Sequence, residues 1–288
     1  MALRMAASRC RSATSSTKLF RVGRSYSSAP LKSAAGTLYT ACKRVNANAE
    51  LLSTYDNELQ LFPADLNPAA RWWTMVQLHM PAQTHVELPE FLEGAKAASK
   101  AYLKAILSKE FSHFAAGLTH ESAAAAELAA YCMPQDYDLW KRAMAYMVKD
   151  TNMTLDLLDV EIQSAAVASV RYVQLTQTEY EAQTAGPTTL PWLWAPDATI
   201  EYMQIRVTTR SLDTMKITLT GQGERVVLQD NTHTWTFGSK VGSPDELDWR
   251  IVATGDKNND EKTLSHTVYA DEADDTREKE ALDSEEKA

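Results

Sequence analysis

The sequence contains no run of 18 or more apolar residues, so it predicts no membrane-spanning helix. Cysteine is scarce, with three residues among 288. Cys10, Cys42 and Cys132 lack the close spacing of zinc or redox sites, and we interpret the latter two as unpaired thiols. The sequence motifs of serine hydrolases, zinc peptidases and phosphate-binding loops are also missing. These absences favour a protein that is not an enzyme and holds no metal or organic cofactor.

Acidic side chains are missing from the first 49 residues, since Glu50 is the first carboxylate. Residues 1–30 contain six Lys and Arg residues and several serines, the composition of a mitochondrial or plastid transit peptide. Arg24 stands where matrix-processing sites carry arginine, which predicts cleavage near Tyr26 or Ser27. The alternative is a basic arm that the mature protein retains. We expect a mitochondrial matrix protein.

The rest of the chain is acidic. The formal net charge is −9, and removal of residues 1–30, which hold six positive and no negative charges, leaves −15. Nucleic-acid backbones attract Lys and Arg, so this balance argues against extensive nucleic-acid binding and leaves only a local basic face open. Residues 257–288 are highly charged and poor in apolar groups, which predicts a disordered acidic tail.

The spacing of apolar residues divides the remaining chain. Residues 31–87 are predicted to be a linker, loosely held from Ala34 to Ser53, with one short docking helix between Pro68 and Pro81. Residues 88 to about 150 show helical spacing, and after Asp150 the apolar period changes to two, as in strands. Helices followed by strands predict an α+β domain over residues 88–256, with helices packed on one face of an antiparallel sheet.

Two tryptophan-bearing runs end this domain. Trp235 and Phe237 are predicted to share one side of a strand, and Trp249, Ile251 and Ala253 one side of the next. Residues 242–245 supply the turn between them. Aromatic residues at strand spacing usually fill a core, so we expect these rows to close the core rather than line a ligand site.

Residues 88–256 also resemble the mitochondrial Tim-forty-four-like family. The resemblance lies in FLEGAKAASKAYLKAILSKEFSHFAAGLTHE, MAYMVKDTNMTLDLLDVEIQSA, YMQIRVTTRSLDTMKI and the WTF and DWRI pair. The chain is most similar to the branch of mitochondrial ribosomal large-subunit protein L-forty-five and the fungal mitochondrial ribosome receptor. It lacks the long charged helical region of the import-motor scaffold. The resemblance implies a cone of the nuclear-transport-factor-two type, with helices against a curved antiparallel sheet.

The resemblance also implies a function. It implies a large-subunit component or ribosome receptor, peripheral to the inner membrane, that attaches the mitochondrial ribosome there for insertion of newly made proteins. Expected partners are the large subunit, its ribosomal RNA, the membrane surface, and the membrane insertase or import translocase. One alternative is a protein-import scaffold that binds the translocase and matrix Hsp-seventy. A further alternative is a small-ligand-binding or enzymatic cone fold.

Two groups of residues are candidate contacts. Membrane or partner contacts are predicted for exposed aromatic and apolar residues on the docking helix and a proline-rich loop: Trp72, Trp73, Trp192, Leu193 and Trp194. The alternative for these is burial. RNA contacts are predicted for basic residues on neighbouring strands: Arg171, Arg206, Arg210 and Lys216. The alternative is ion pairs with carboxylates. Glu201 and Asp159 are expected on the outer face or at strand ends.

Overall fold

The computed structural model describes residues 34–185, 190, 195, 197–221, 223–256 and 268–269. Within these residues seven α-helices precede the sheet. They are α1 Ala34–Ala47, α2 Ala49–Ser53, α3 Pro68–Leu78, α4 Leu88–Ile106, α5 Lys109–Ala115, α6 Ala123–Tyr131 and α7 Pro134–Asp150. A π-helical turn, Thr54–Glu58, follows α2. The predicted transit peptide and most of the predicted acidic tail lie outside the described residues.

Local sequence signals set where the helices begin. Asn67 precedes α3, and its side chain accepts a hydrogen bond from the Ala70 backbone N–H at 2.8 Å. Ser108 and Ser122 do the same for α5 and α6, each at 3.0 Å. Proline at the first position begins α3 and α7, where a missing N–H costs no helical hydrogen bond.

The sheet consists of long antiparallel strands in the order β1-β2-β3-β4. Their bounds are β1 Met153–Leu175, β2 Ile200–Leu219, β3 Gly223–Lys240 and β4 Arg250–Asp256. A fifth, short strand, β5 Val268–Tyr269, pairs with β3. Helix α8, Gln177–Ala185, lies between β1 and β2, and a 3-10 turn, Pro244–Glu246, lies between β3 and β4. The order of elements confirms the predicted α+β class with helices on a curved antiparallel sheet.

Irregular positions shape the sheet. Three register shifts interrupt β1 opposite β2, and bulges of this kind bend a strand. Gly221 and Gly223 have positive φ angles of 85° and 93° at the β2–β3 turn. Glycine adopts these angles without steric cost, so this part of the sequence fixes a tight hairpin.

The core lies between the helices and one face of the sheet. Trp235 and Phe237 are 2% and 0% exposed, which confirms that this row closes the core. The Tyr102 ring of α4 meets Trp235 edge-on at 5.3 Å between centroids. Phe91 meets both Phe237 and Trp249 in the same way, at 5.7 and 4.9 Å.

The prediction for Ala253 is wrong. Ala253 is exposed and lies opposite Thr236, whereas Ile251 lies opposite Phe237 in the core. A register shift between Thr236 and Phe237 places one extra residue in β4. Because side chains alternate along a strand, this shift turns Ala253 to the other face of the sheet.

The expected loose extension from Ala34 to Ser53 is also corrected by the structure. Most of this segment is helical, and Ala41 and Val45 of α1 are 0% and 2% exposed in the main core. Tyr55, in the following π-helical turn, is 4% exposed in the same cluster. Small and polar residues concealed the pattern, since Thr37, Ala41 and Val45 recur every fourth residue on the buried side.

Candidate functional site: a groove between α1, α3 and the sheet

Helices α1 and α3 and strands β1 and β2 enclose a groove of about 610 Å³. We name it the α1–α3 groove. Leu38, Trp73 and Met80 form its apolar side, and Arg171 and Arg206 lie on the strand side. Trp73 remains 45% exposed, so the groove is accessible from solvent. A space of this size accommodates a few side chains of a partner.

Buried hydrogen bonds hold α3 against the edge of the sheet. The Gln77 side-chain oxygen accepts a hydrogen bond from the backbone N–H of Tyr172 in β1 at 2.8 Å. Both residues are buried, and the contact satisfies an N–H that an edge strand would otherwise leave unpaired. Val167 in β1 donates in the same way to the Leu61 carbonyl at 2.7 Å.

Arg44 joins α1 to the end of α3. Its Nη1 atom donates to the carbonyl oxygens of His79 and Pro81 at 2.9 and 3.0 Å. Arg44 therefore stabilises the packing of α1 against the end of α3. With α1 and α3 fixed to each other and α3 fixed to β1, the walls of the α1–α3 groove are formed before any partner arrives.

The two adjacent tryptophans of α3 differ in environment. Trp72 is half-buried and packs against the main core, whereas Trp73 lies on the α1–α3 groove. Successive helical residues point about 100° apart, which explains the difference. For Trp72 the structure agrees with the alternative of burial, and for Trp73 a contact role remains a prediction.

The three arginines and one lysine predicted to contact RNA do not form one patch. Arg210 Nε donates to both carboxylate oxygens of Asp230 at 2.9 and 3.1 Å. Lys216 forms an ion pair with Glu224. These two cations therefore agree with the alternative of surface ion pairs.

Arg171 and Arg206 lie together at the α1–α3 groove. Arg171 pairs with Gln204 and Ser169 with Arg206 across β1 and β2, which places both arginines on one face. Arg171 Nη2 donates to the Leu190 carbonyl at 2.7 Å. Arg206 is exposed, and none of the ion pairs identified among the described residues includes it.

The charge of the groove is opposite to that of the chain. Among the described residues its lining contains two arginines and no Asp or Glu, although the chain has 38 acidic and 29 basic residues. A concave surface with low-dielectric walls strengthens the field of such charges. The α1–α3 groove is therefore suited to a ligand that combines an apolar group with negative charge.

One buried carboxyl contacts the loop that follows α3. Glu201 is at the start of β2, as expected for a strand end, and it is buried, with 6% exposed. Burial raises the pKa of Glu201. Its Oε2 atom accepts from the Ala82 N–H at 3.4 Å, which links it to the loop after α3. Asp159, in contrast, is exposed in β1, as expected.

The proline-rich loop between β1 and β2 is described only in part. Trp192, Leu193 and Trp194 lie outside the described residues, so their predicted contacts stay predictions. Leu190 is 4% exposed and belongs to a second small core with Val173, Leu175 and Tyr202. At Leu190 the loop therefore packs against the sheet.

A separate group of buried polar residues lies between the helices and the sheet. The Tyr102 hydroxyl donates to Asp136, and the Thr254 hydroxyl approaches the other Asp136 oxygen at 3.4 Å. The Trp235 indole N–H donates to the Thr209 hydroxyl at 2.8 Å. Burial raises the pKa of Asp136. These groups satisfy one another, as buried polar groups in a packed core do.

Asp213 is the second buried carboxyl of this region. Burial alone would raise its pKa, but neighbouring His233, Asn231 and Ser211 outweigh that effect and lower it. Asn231 Nδ2 donates to Asp213 Oδ2 at 2.7 Å, and His233 Nε2 lies 3.6 Å from the same oxygen. No cluster of three or more His, Cys, Asp or Glu side chains that could hold a metal ion occurs among the described residues.

No protein-family model and no curated protein matches the sequence. In the part of the chain that the structure describes, no helix is long and apolar enough to cross a membrane. The α1–α3 groove is thus the feature from which function is inferred. Sequence reasoning found Trp73, Arg171 and Arg206 separately but missed Leu38, Met80 and Gln204, because nothing in the sequence indicates that these distant segments meet.

Proposed function

We propose that this protein is a non-enzymatic docking component of the mitochondrial ribosome. In this role it belongs to the large subunit or acts as its receptor, and it helps attach the ribosome to the matrix face of the inner membrane. The acid-free N-terminal segment and the Tim-forty-four-like sequence stretches support this proposal. We further propose that the helices and curved sheet form a cone of the nuclear-transport-factor-two type.

The observation that carries the proposal is the α1–α3 groove. Its walls are held by buried hydrogen bonds, and a half-exposed tryptophan and two arginines line it. Trp and Arg are the residues most enriched at the energetic centres of protein interfaces. A preformed surface with these residues supports the binding of a protein partner.

Protein contacts are favoured over RNA contacts. Arg210 and Lys216 form ion pairs with Asp230 and Glu224, and only Arg171 and Arg206 of the predicted set line the groove. RNA binding depends on neutralising several phosphates at once, and two arginines in an acidic protein contribute little to the affinity for RNA. We therefore propose that the groove contacts a ribosomal protein.

The test is binding of purified mitochondrial large subunits to the full chain and its variants. Trp73→Ala and Arg206→Glu should each weaken binding at least about tenfold, since loss of an interface tryptophan or arginine often costs 2 kcal/mol or more. Tyr146→Ala and Arg142→Glu are matched controls, because both residues are exposed on α7, outside the groove.

Unchanged binding by both groove variants would contradict the groove as the docking surface. Binding of import-channel complexes instead of large subunits would contradict the ribosomal role and favour an import scaffold. Circular dichroism of each variant confirms that the fold is retained before binding is compared.

A further inference from the structure

We propose that the acidic tail of the same chain, residues 271–288, binds the α1–α3 groove and competes with the partner for it. This inference rests on the groove described above and not on the identity of the ribosomal partner. The tail itself lies outside the described residues. Three properties of the molecule support the pairing: charge, apolar content and reach.

The charges are complementary. The tail contains nine Asp and Glu residues and three Lys and Arg residues. The described part of the groove lining contains two arginines and no carboxylate. Arg206 is exposed and has no ion pair among those found in the described residues, so a carboxylate of the tail can approach it without displacing another.

The tail also carries one group suited to the apolar side of the groove. Leu282 is the single large apolar residue of 271–288, and Glu280 and Asp283 lie on either side of it. Leu38, Trp73 and Met80 line the apolar side, and Arg206 lies across from them. A leucine between carboxylates therefore matches both sides of the α1–α3 groove.

The chain is long enough for this contact. Tyr269 pairs with Val227, and the neighbouring Leu228 lies opposite Thr214 in β2. Arg206 is eight residues from Thr214 along β2, which is roughly 26 Å at about 3.3 Å per residue. Leu282 follows Tyr269 by thirteen residues, which span up to about 43 Å when extended. The tail is thus long enough to reach the groove.

Attachment to the same chain makes a weak contact effective. A segment tethered by a short linker has an effective concentration in the millimolar range, so modest affinity suffices for occupancy. Its ion pairs are exposed and are screened by salt. A partner that binds the groove more tightly than the tail displaces it. Acidic ligands that bind more weakly than the tail are excluded from the groove.

Proximity of the tail to Trp73 can be measured in the full chain. A nitroxide label is placed on Ser284→Cys in a chain with Cys10→Ser and Cys42→Ser. The readout is the indole N–H resonance of Trp73, assigned by its loss in Trp73→Phe. At low salt the label should broaden this resonance at least twofold more than in Arg206→Glu, and high salt should remove the difference. Arg142→Glu is the matched control and should leave the broadening unchanged.

Exchanging the charges of Arg206 and the tail tests whether the two form a direct ion pair or whether Arg206→Glu acts only through the overall charge of the protein. Combining Arg206→Glu with Glu280→Arg and Asp283→Arg should restore the broadening. Broadening that is absent at low salt, or that is equal in the wild-type chain and Arg206→Glu, overturns the proposal.

The same variants distinguish this proposal from the ribosomal role. If Arg206→Glu loses large-subunit binding while the label never affects Trp73, the groove serves a partner and the tail proposal is wrong. If the label reports charge-dependent contact but large subunits do not bind, the tail proposal holds and the ribosomal role is wrong.

Discussion

The hydrogen bond between Trp235 and Thr209 gives a quantitative test of the closed core. The indole N–H and the hydroxyl oxygen are 2.8 Å apart, and the two residues are 2% and 0% exposed. Thr209→Val leaves the indole N–H buried without an acceptor, which costs about 1–3 kcal/mol. Trp235→Phe removes the donor from the Thr209 hydroxyl at a similar cost and also loses apolar contact.

The double variant removes both polar groups together. It should therefore be less destabilised than the sum of the single variants by about 1 kcal/mol or more. Urea unfolding followed by circular dichroism measures each free energy of unfolding. Additive costs, within about 0.3 kcal/mol, would refute the buried hydrogen bond. An undiminished stability in both single variants would refute the closed core at this strand, and would reopen Trp235 as part of a ligand site.

Three further predictions address the interior. A Cβ at Gly238 would lie 2.1 Å from the Tyr202 hydroxyl oxygen. Gly238→Ala should thus destabilise the fold by about 1–3 kcal/mol, and Tyr202→Phe should recover part of this loss in urea unfolding. Because burial raises the pKa of Asp136 in the folded state, its stabilising contribution is complete below about pH 4 and is lost as pH rises through the raised pKa. Asp136→Asn should remove this part of the pH dependence of unfolding, and an unchanged profile would contradict it. Burial raises the pKa of Cys132 to about 12, so native protein treated with iodoacetamide should be modified at Cys42 and not at Cys132, as read by peptide mass spectrometry.

Much of the fold was predictable because its signals are local. The apolar period of three to four residues in α4 and of two in β2 and β3 follows directly from which side chains are buried. The β2–β3 turn was predictable from glycines that accept positive φ. Helix α1 was missed, since its buried side consists of Thr37, Ala41 and Val45, whose small side chains give a weak apolar signal.

The candidate site was predictable only in pieces. The strand period correctly placed Arg206 and Arg210 on one face, but their surroundings depend on pairing between distant strands. Arg210 meets Asp230 from β3, whereas Arg206 lines the α1–α3 groove together with Trp73 from α3. The bulge that turns Ala253 outward was equally hidden, because one extra residue in β4 has no local sequence signal.

The most direct test of the proposed function is sucrose-gradient sedimentation of gently lysed mitochondria, with and without EDTA. This protein is followed beside a large-subunit marker and an import-channel marker. The account predicts that the protein travels with the large subunit and stays with it when EDTA separates the subunits, whereas Arg206→Glu shifts it toward the top. Wild-type protein that remains at the top, or that travels with the import channel, would contradict the proposed ribosomal role.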